Sequence, residues 1–170
     1  MDAYLAVVSK REVRSYDARP IGAEARRRII ETGRVAGSSK NRQARRFIVV
    51  TDPALLRRVA ECVYAPDNVL GALLAIAVVV RGKGPTTFDA GRAAQNMMIA
   101  ASSDGIGSCP NGIADAAALR EALGYDEDEE AATVLTFGYP ATPLSAERLT
   151  PEEWIERADR KPYEEIVEER

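Results

Sequence analysis

The sequence predicts a single-domain α+β fold. Its 170 residues suit one domain with a sizeable core. Apolar periodicity orders the elements as helix, helix, strand, helix, strand, long helix, helix, strand, which fits one layered α+β structure. No strand leads into a glycine fingerprint that opens a helix, so a Rossmann arrangement has little support.

Each element has a local reason. Tyr4, Leu5 and Val8 recur at helical spacing, giving a short helix over 2–10. After Pro20, residues 22–35 form an amphipathic helix with Ala25, Ile29 and Ile30 inward and Arg26, Arg27 and Arg28 largely outward. RFIVV (46–50) is a strand, and Asp52-Pro53 opens a helix with the Asp as cap and the Pro at the first helical position. LLAIAVVV (73–80) is short, continuous and β-branched toward its end, the pattern of a buried strand. Residues 88–105 make a helix apolar on most faces, which belongs in a core or an interface. GIGSCPNG (105–112) carries two glycines, a Pro and Asn-Gly, and reads as a turn. Asp115–Leu123 is a helix closed by Gly124, followed by an acidic loop (126–130) and a strand ending at Gly138. Thr150-Pro151-Glu152-Glu153 is a capping box that starts a last short helix. The polar tail holds only Tyr163, Ile166 and Val167 as apolar anchors, so it is either frayed or packed on something else.

Composition narrows the chemistry. Histidine is absent, which removes Ser-His and Cys-His machinery and imidazole metal sites. Two isolated cysteines, Cys62 and Cys109, build neither a disulfide framework nor a thiolate metal site, so no metal is expected and a cytoplasmic location is. No apolar run reaches the roughly 18 residues of a membrane span, and the N-terminus lacks the basic start of a signal peptide. The net charge of −3 hides an asymmetry: residues 1–58 carry a formal +8 and residues 59–170 a formal −11. Pairing between the two halves is the simplest account, with a phosphorylated ligand or nucleic acid as alternatives.

Two clusters stand out. Lys10 and Arg14 share a helical face, with Arg11 beside them, and guanidinium forks suit phosphate oxygens. Ser38, Ser39, Asn41 and Gln43 supply neutral donors and acceptors ahead of the first strand. Each has a plainer reading, as a solvated basic turn and a polar loop. Cys109 reads as a small buried filler, since nothing nearby in sequence lowers its pKa.

KREVRSYDARPI, AGSSKNRQARRFIVV, FDAGRAAQNMMIAASSDGIGSCPNGI, LTFGYP and RKPYEEIV, in that order, resemble the nitroreductase family of FMN flavoproteins over nearly the whole chain. The resemblance implies a nitroreductase-like fold over residues 1–170, with a central, mainly antiparallel sheet flanked by helices. It implies an intertwined homodimer in which the 150–170 tail packs on the partner subunit and one FMN lies in each of two clefts between subunits. Lys10, Arg11 and Arg14 would then hold the phosphate and the pyrimidine edge of the flavin, with Arg14 near N1 and O2. Ser38, Ser39 and Asn41 would reach the cofactor from the partner. Pro110, Asn111 and Gly112 would lie against the ring near N5, and Arg160 and Lys161 would reach the phosphate. Asn68 and Asp89 complete the implied cofactor-binding set.

The implied activity is transfer of hydride from NADH or NADPH through flavin N5 to a small electron-poor acceptor such as a nitroaromatic, quinone or enone, by a ping-pong route. No catalytic side chain is needed, because the cofactor carries the reactivity. Three departures from the family pattern stand out. Glu12 replaces a common Ser and is expected to turn away or pair with an Arg. AGSS replaces Ala-Pro-Ser-Ser, and Ala44-Arg45 replaces Pro-Trp, changes expected to loosen the loop. The link between Arg58 and the strand at 73 is short, which implies an open flavin face. The alternative within the same family is an FMN-binding module with little turnover. Nucleic-acid binding through KNRQARR ranks below both, since that segment lacks interleaved aromatics and the acidic half opposes it.

Overall fold

The computed structural model describes residues 2–143 and 145–170. Helices α1 (Ala3–Ser9) and α2 (Ala23–Arg34) precede β1 (Arg45–Val50). Then come α3 (Pro53–Ala60), α4 (Pro66–Leu70), β2 (Leu74–Arg81), α5 (Thr86–Ser103), β3 (Gly107–Asn111), α6 (Ala116–Leu123) and β4 (Glu129–Gly138). Helices α7 (Pro151–Arg157) and α8 (Tyr163–Ile166) follow. The four strands form one antiparallel sheet in the order β1-β2-β4-β3.

The central strand β2 explains its own sequence. Ala75, Ala77 and Val79 face a core made with α3, α4 and α6, including Leu56, Val59, Val69 and Leu119. Leu74, Ile76, Val78 and Val80 face a second core with Ile29 of α2 and Met97 of α5. Both faces are covered, so the strand reads as an unbroken apolar run.

The expected cap at Asp52 is present, and Asp2 and Asp115 act in the same way. Asp2, Asp52 and Asp115 accept from the amides of Leu5, Leu55 and Ala118 at 2.8–2.9 Å. Thr150 and Glu153 close a reciprocal box, and Gly124 takes φ +66° at the end of α6. The charge asymmetry is partly internal: Arg28 meets Asp104 at 3.2 Å and Arg46 meets Glu129 at 2.6 Å, each joining the basic to the acidic half.

Several expectations need correction. Lys10 and Arg14 do not share a helical face, because α1 ends at Ser9 and the backbone is already extended at Lys10. The Gly105–Gly112 stretch is largely not a turn, because Gly107–Asn111 is the edge strand β3. Its glycine and proline suit an edge: Gly107 lets the 12–16 segment approach, and Pro110 needs no ladder partner for a missing N–H. Helix α5 is buried on one face only, by Ala90, Ala93, Ala94, Met97, Met98 and Ala101. Phe88, Gly91, Arg92, Gln95 and Asn96 stay exposed. The link after Arg58 is short, as expected, and holds the five-residue helix α4. Finally, Arg45 fastens its loop: its guanidinium donates to the carbonyls of Gly33 and Arg34 at 3.3 Å and to that of Ala36, around the C-terminus of α2. A cation there satisfies carbonyls that have no partner within the helix.

Candidate functional site

The site is built on the β3 edge, where residues 12–16 are strapped along the sheet. The Val13 amide donates to the Ser108 carbonyl at 2.9 Å, and the Asp17 amide donates to Tyr139 at 2.8 Å. The Tyr16 hydroxyl donates to the Val13 carbonyl at 2.6 Å and lies 3.1 Å from the Thr136 hydroxyl. Two glycines make this approach possible. A Cβ on Gly107 would lie 2.6 Å from the Val13 Cβ, and one on Gly138 would lie 2.6 Å from Tyr16 Cγ. The strap fixes where Lys10, Arg11 and Arg14 leave the backbone.

Those three cations have different surroundings. Lys10 is buried, with Nζ 2.6 Å from the Glu12 carboxylate and 3.5 Å from Met98 Sδ. Glu12 thus pairs with a lysine rather than an arginine, and its negative charge is offset within its own strap. Arg11 donates to the carbonyls of Val8 at 2.8 Å, Lys10 at 2.9 Å and Trp154, and its guanidinium stacks 5.1 Å from the Trp154 ring centre. Arg14 is exposed, and its positive charge acts on the Cys109 thiol against the larger effect of burial.

Below Arg14 lies a closed amide pair. Asn111 is buried and donates to the Val134 carbonyl at 3.0 Å and the Cys109 carbonyl at 3.1 Å. Its own carbonyl oxygen accepts from the Asn68 amide at 3.1 Å. Pro110 and Gly112 are exposed on either side. The structure therefore brings Arg14, Asn68, Pro110, Asn111 and Gly112 together. Burial pushes the Cys109 thiol up, and burial pushes the Tyr16 phenol up to about 12. Neither group is ionised at neutral pH, so neither serves as a nucleophile or base there.

Arg160 and Lys161 are exposed, and Arg160 donates to the Ala158 carbonyl at 2.7 Å. Burial first, then the positive charges of Arg160 and Arg157, lower the Arg11 pKa, so the tail returns cations to the same end of α1. The residues of the other cluster are elsewhere. Ser38, Ser39 and Asn41 precede β1, at the opposite edge of the sheet from β3. There the Asp89 carboxylate accepts from the Ser39 amide at 2.9 Å, and the Ser38 hydroxyl accepts from the Gln43 amide at 2.9 Å. Lys40, Asn41 and Gln43 all take φ +52°, a fold-back that these bonds hold in place.

A family model for nitroreductases matches residues 7–69 and 85–139. The chain belongs to the nitroreductase family. An Archaeoglobus fulgidus relative provisionally named NADH dehydrogenase/NAD(P)H nitroreductase is 31% identical over 144 residues, spanning 79% of this chain and 83% of its own. A nitroreductase-type protein of Desulfovibrio desulfuricans, crystallised in complex with FMN, superposes with a TM-score of 0.84 at 27% identity, over 100% of this chain and 98% of that one. A nitroreductase family protein of Clostridium difficile shares the fold, with a TM-score of 0.84 at 24% identity over 99% and 98% of the two chains. The α+β architecture with an antiparallel sheet is thus that of the family.

Sequence reasoning did not find Trp154, Arg148, Arg157, Ser9 or Ser108 at this end of the molecule. The packing of α7 and the turn before it on α1, together with the docking of the strap on Ser108 of β3, brings them together, and no local pattern marks those contacts.

Proposed function

We propose that this nitroreductase-family chain is an FMN-dependent oxidoreductase that works as a homodimer. The separation of the two donor sets carries the reading. Arg14, Asn68 and the 110–112 backbone lie at the β3 edge, while Ser38, Ser39 and Asn41 lie at the β1 edge. A ligand that needs both sets takes one from each of two copies. Exposed Phe88 of α5 and exposed Tyr163 and Ile166 of the tail give a second copy apolar side chains to cover.

The residues present fit FMN. Exposed Arg14, Arg160 and Lys161 supply cations for a phosphate and for the negative charge of a reduced ring, and Lys10 keeps Glu12 neutralised beside them. Asn68 and Asn111 give the ring a floor already closed by hydrogen bonds. Asp89 positions the Ser39 segment, the family position at which the partner would reach the cofactor. Bound FMN supplies hydride acceptance and donation at N5. The chain's own residues bind and orient it.

Nicotinamide and acceptor would use one flavin face in turn, which predicts ping-pong kinetics with NADH or NADPH as donor. A small nitroaromatic, quinone or enone is the expected acceptor. Among the described residues no helix is long and apolar enough to cross a membrane, and free Cys62 and Cys109 suit a reducing compartment such as the cytoplasm. The purified protein should be yellow, and anaerobic NADH or NADPH should bleach it. A colourless protein that takes up no added FMN overturns the reading. A yellow protein that neither nucleotide bleaches supports instead the module with little turnover. That reading draws on one observation: Lys10 and Arg11 already hold Glu12 and three backbone carbonyls.

A further inference from the structure

A cavity of ≈ 230 Å³ lies between the end of α1, the turn from α5 into β3, Pro140 and residues 145–157. It borders the strap described above through Arg11, Glu12 and Val13, with Gly107 and Ser108 of β3, and contains none of Arg14, Asn68 or Asn111. Two observations mark it as a built site. Ser9 and Ser108, 7% and 1% exposed, both line it, and both hydroxyls are buried without a hydrogen-bond partner. An unpaired buried hydroxyl is costly, so each points to a ligand group. Independently, Arg11, Arg148 and Arg157 line the same space. One carboxylate, Glu12, opposes them, and Lys10 already pairs with it at 2.6 Å.

The rest of the wall is apolar and flat. The Trp154 indole forms one side, with the guanidinium groups of Arg11 and Arg157 at 5.1 and 6.0 Å from its ring centre, and Ile106 and Pro140 lie around it. Planar cations beside a planar ring, over two hydroxyls, suit a flat anion better than a spherical one. We infer that this cavity is a binding site for a small aromatic carboxylate, with its ring on Trp154, its charge on Arg148 and Arg157, and its far edge on Ser9 and Ser108. The inference does not depend on the flavin reading, because the ligand lies off the Arg14 and Asn111 surface.

Trp154 is the chain's single tryptophan, so its fluorescence reports on the cavity. The full-length, FMN-supplemented protein is titrated with benzoate, benzamide and inorganic phosphate. Benzoate should give a saturable change, with benzamide and phosphate at least roughly tenfold weaker. Arg148→Ala and Arg157→Ala, both at exposed positions that spare the core, should each weaken benzoate roughly tenfold, and Ser108→Ala should also weaken it. Flavin absorption should not change during the titration. No saturable change, benzoate and phosphate binding equally, unaltered affinity in both arginine variants, or a parallel flavin shift would each overturn the proposal.

Discussion

The two edges of the sheet hold their functional residues by different physics. At the β3 edge, the strap of residues 12–16 is seated by shape, with Val13 against Gly107 and Tyr16 against Gly138, and by neutral hydrogen bonds through Asn111 and Tyr16. At the β1 edge, charge dominates. The Asp89 carboxylate holds the Ser39 amide, Arg45 closes the end of α2, and Arg46 forks onto buried Glu129 at 2.6 and 2.7 Å across β2. The β3 edge is most sensitive to volume, with the Lys10–Glu12 pair as the charged contact in its strap. A charge-held edge tolerates volume changes and loosens in acid.

The largest effect should come from filling the β3 contact. Gly107→Val places side-chain atoms where Val13 already sits, and we expect a loss of about 3 kcal/mol in urea unfolding, with FMN affinity falling alongside. Next, Asn111→Leu leaves the buried Cys109 and Val134 carbonyls and the Asn68 amide without their partner. It should cost about 2 kcal/mol at any pH between 5 and 8, and a pH-dependent loss would blur the contrast between the edges.

Acid should act on the other edge. The hydrogen-bonded Arg46 guanidinium holds the Glu129 carboxyl down to about 2 from its ordinary 4.5. A carboxyl with a lowered folded pKa contributes stability that is complete above about 4.5 and lost as pH falls toward 2. Because Arg46 is half exposed, Glu129→Gln should cost only about 1–2 kcal/mol at neutral pH, and it should flatten the acid limb of a stability-against-pH curve. The smallest effect on stability is expected of Asp89→Asn, about 1 kcal/mol or less. Its signature would be a weaker hold on FMN with little change in unfolding midpoint, measured by flavin release on dilution.

Much of the fold was legible because its causes are local. Asp52-Pro53, Asp115 with Gly124 and the Thr150–Glu153 box each fix a helix end through neighbours three or four residues away. The β2 run was legible because burial on both faces leaves no polar position in it. The β3 edge was hidden for the opposite reason. Gly107, Pro110 and Asn111 carry turn chemistry in isolation, and they become a strand only because Val13 docks on the glycine and Asn111 bonds the backbone of β4. Arg45 shows the same effect. Its departure from the family pattern suggests a loose loop until the carbonyls at the end of α2 are seen around it.

Within the candidate site, chemistry was readable and partnership was not. The sequence by itself determined which groups the protein owns: clustered cations near residue 10, small polar donors near residue 39, no histidine, and apolar periods that dictate helices and strands. Tertiary structure alone decided which of them meet. It set Lys10 on Glu12, Arg14 beside Cys109, and the serine row at the far edge of the sheet. It also closed α7 over α1 to bury two serine hydroxyls beneath three arginines. The reason is one of range: caps and periodicity act over three or four residues. Contacts between residues 9, 108 and 154 depend on strand order, which local sequence does not specify.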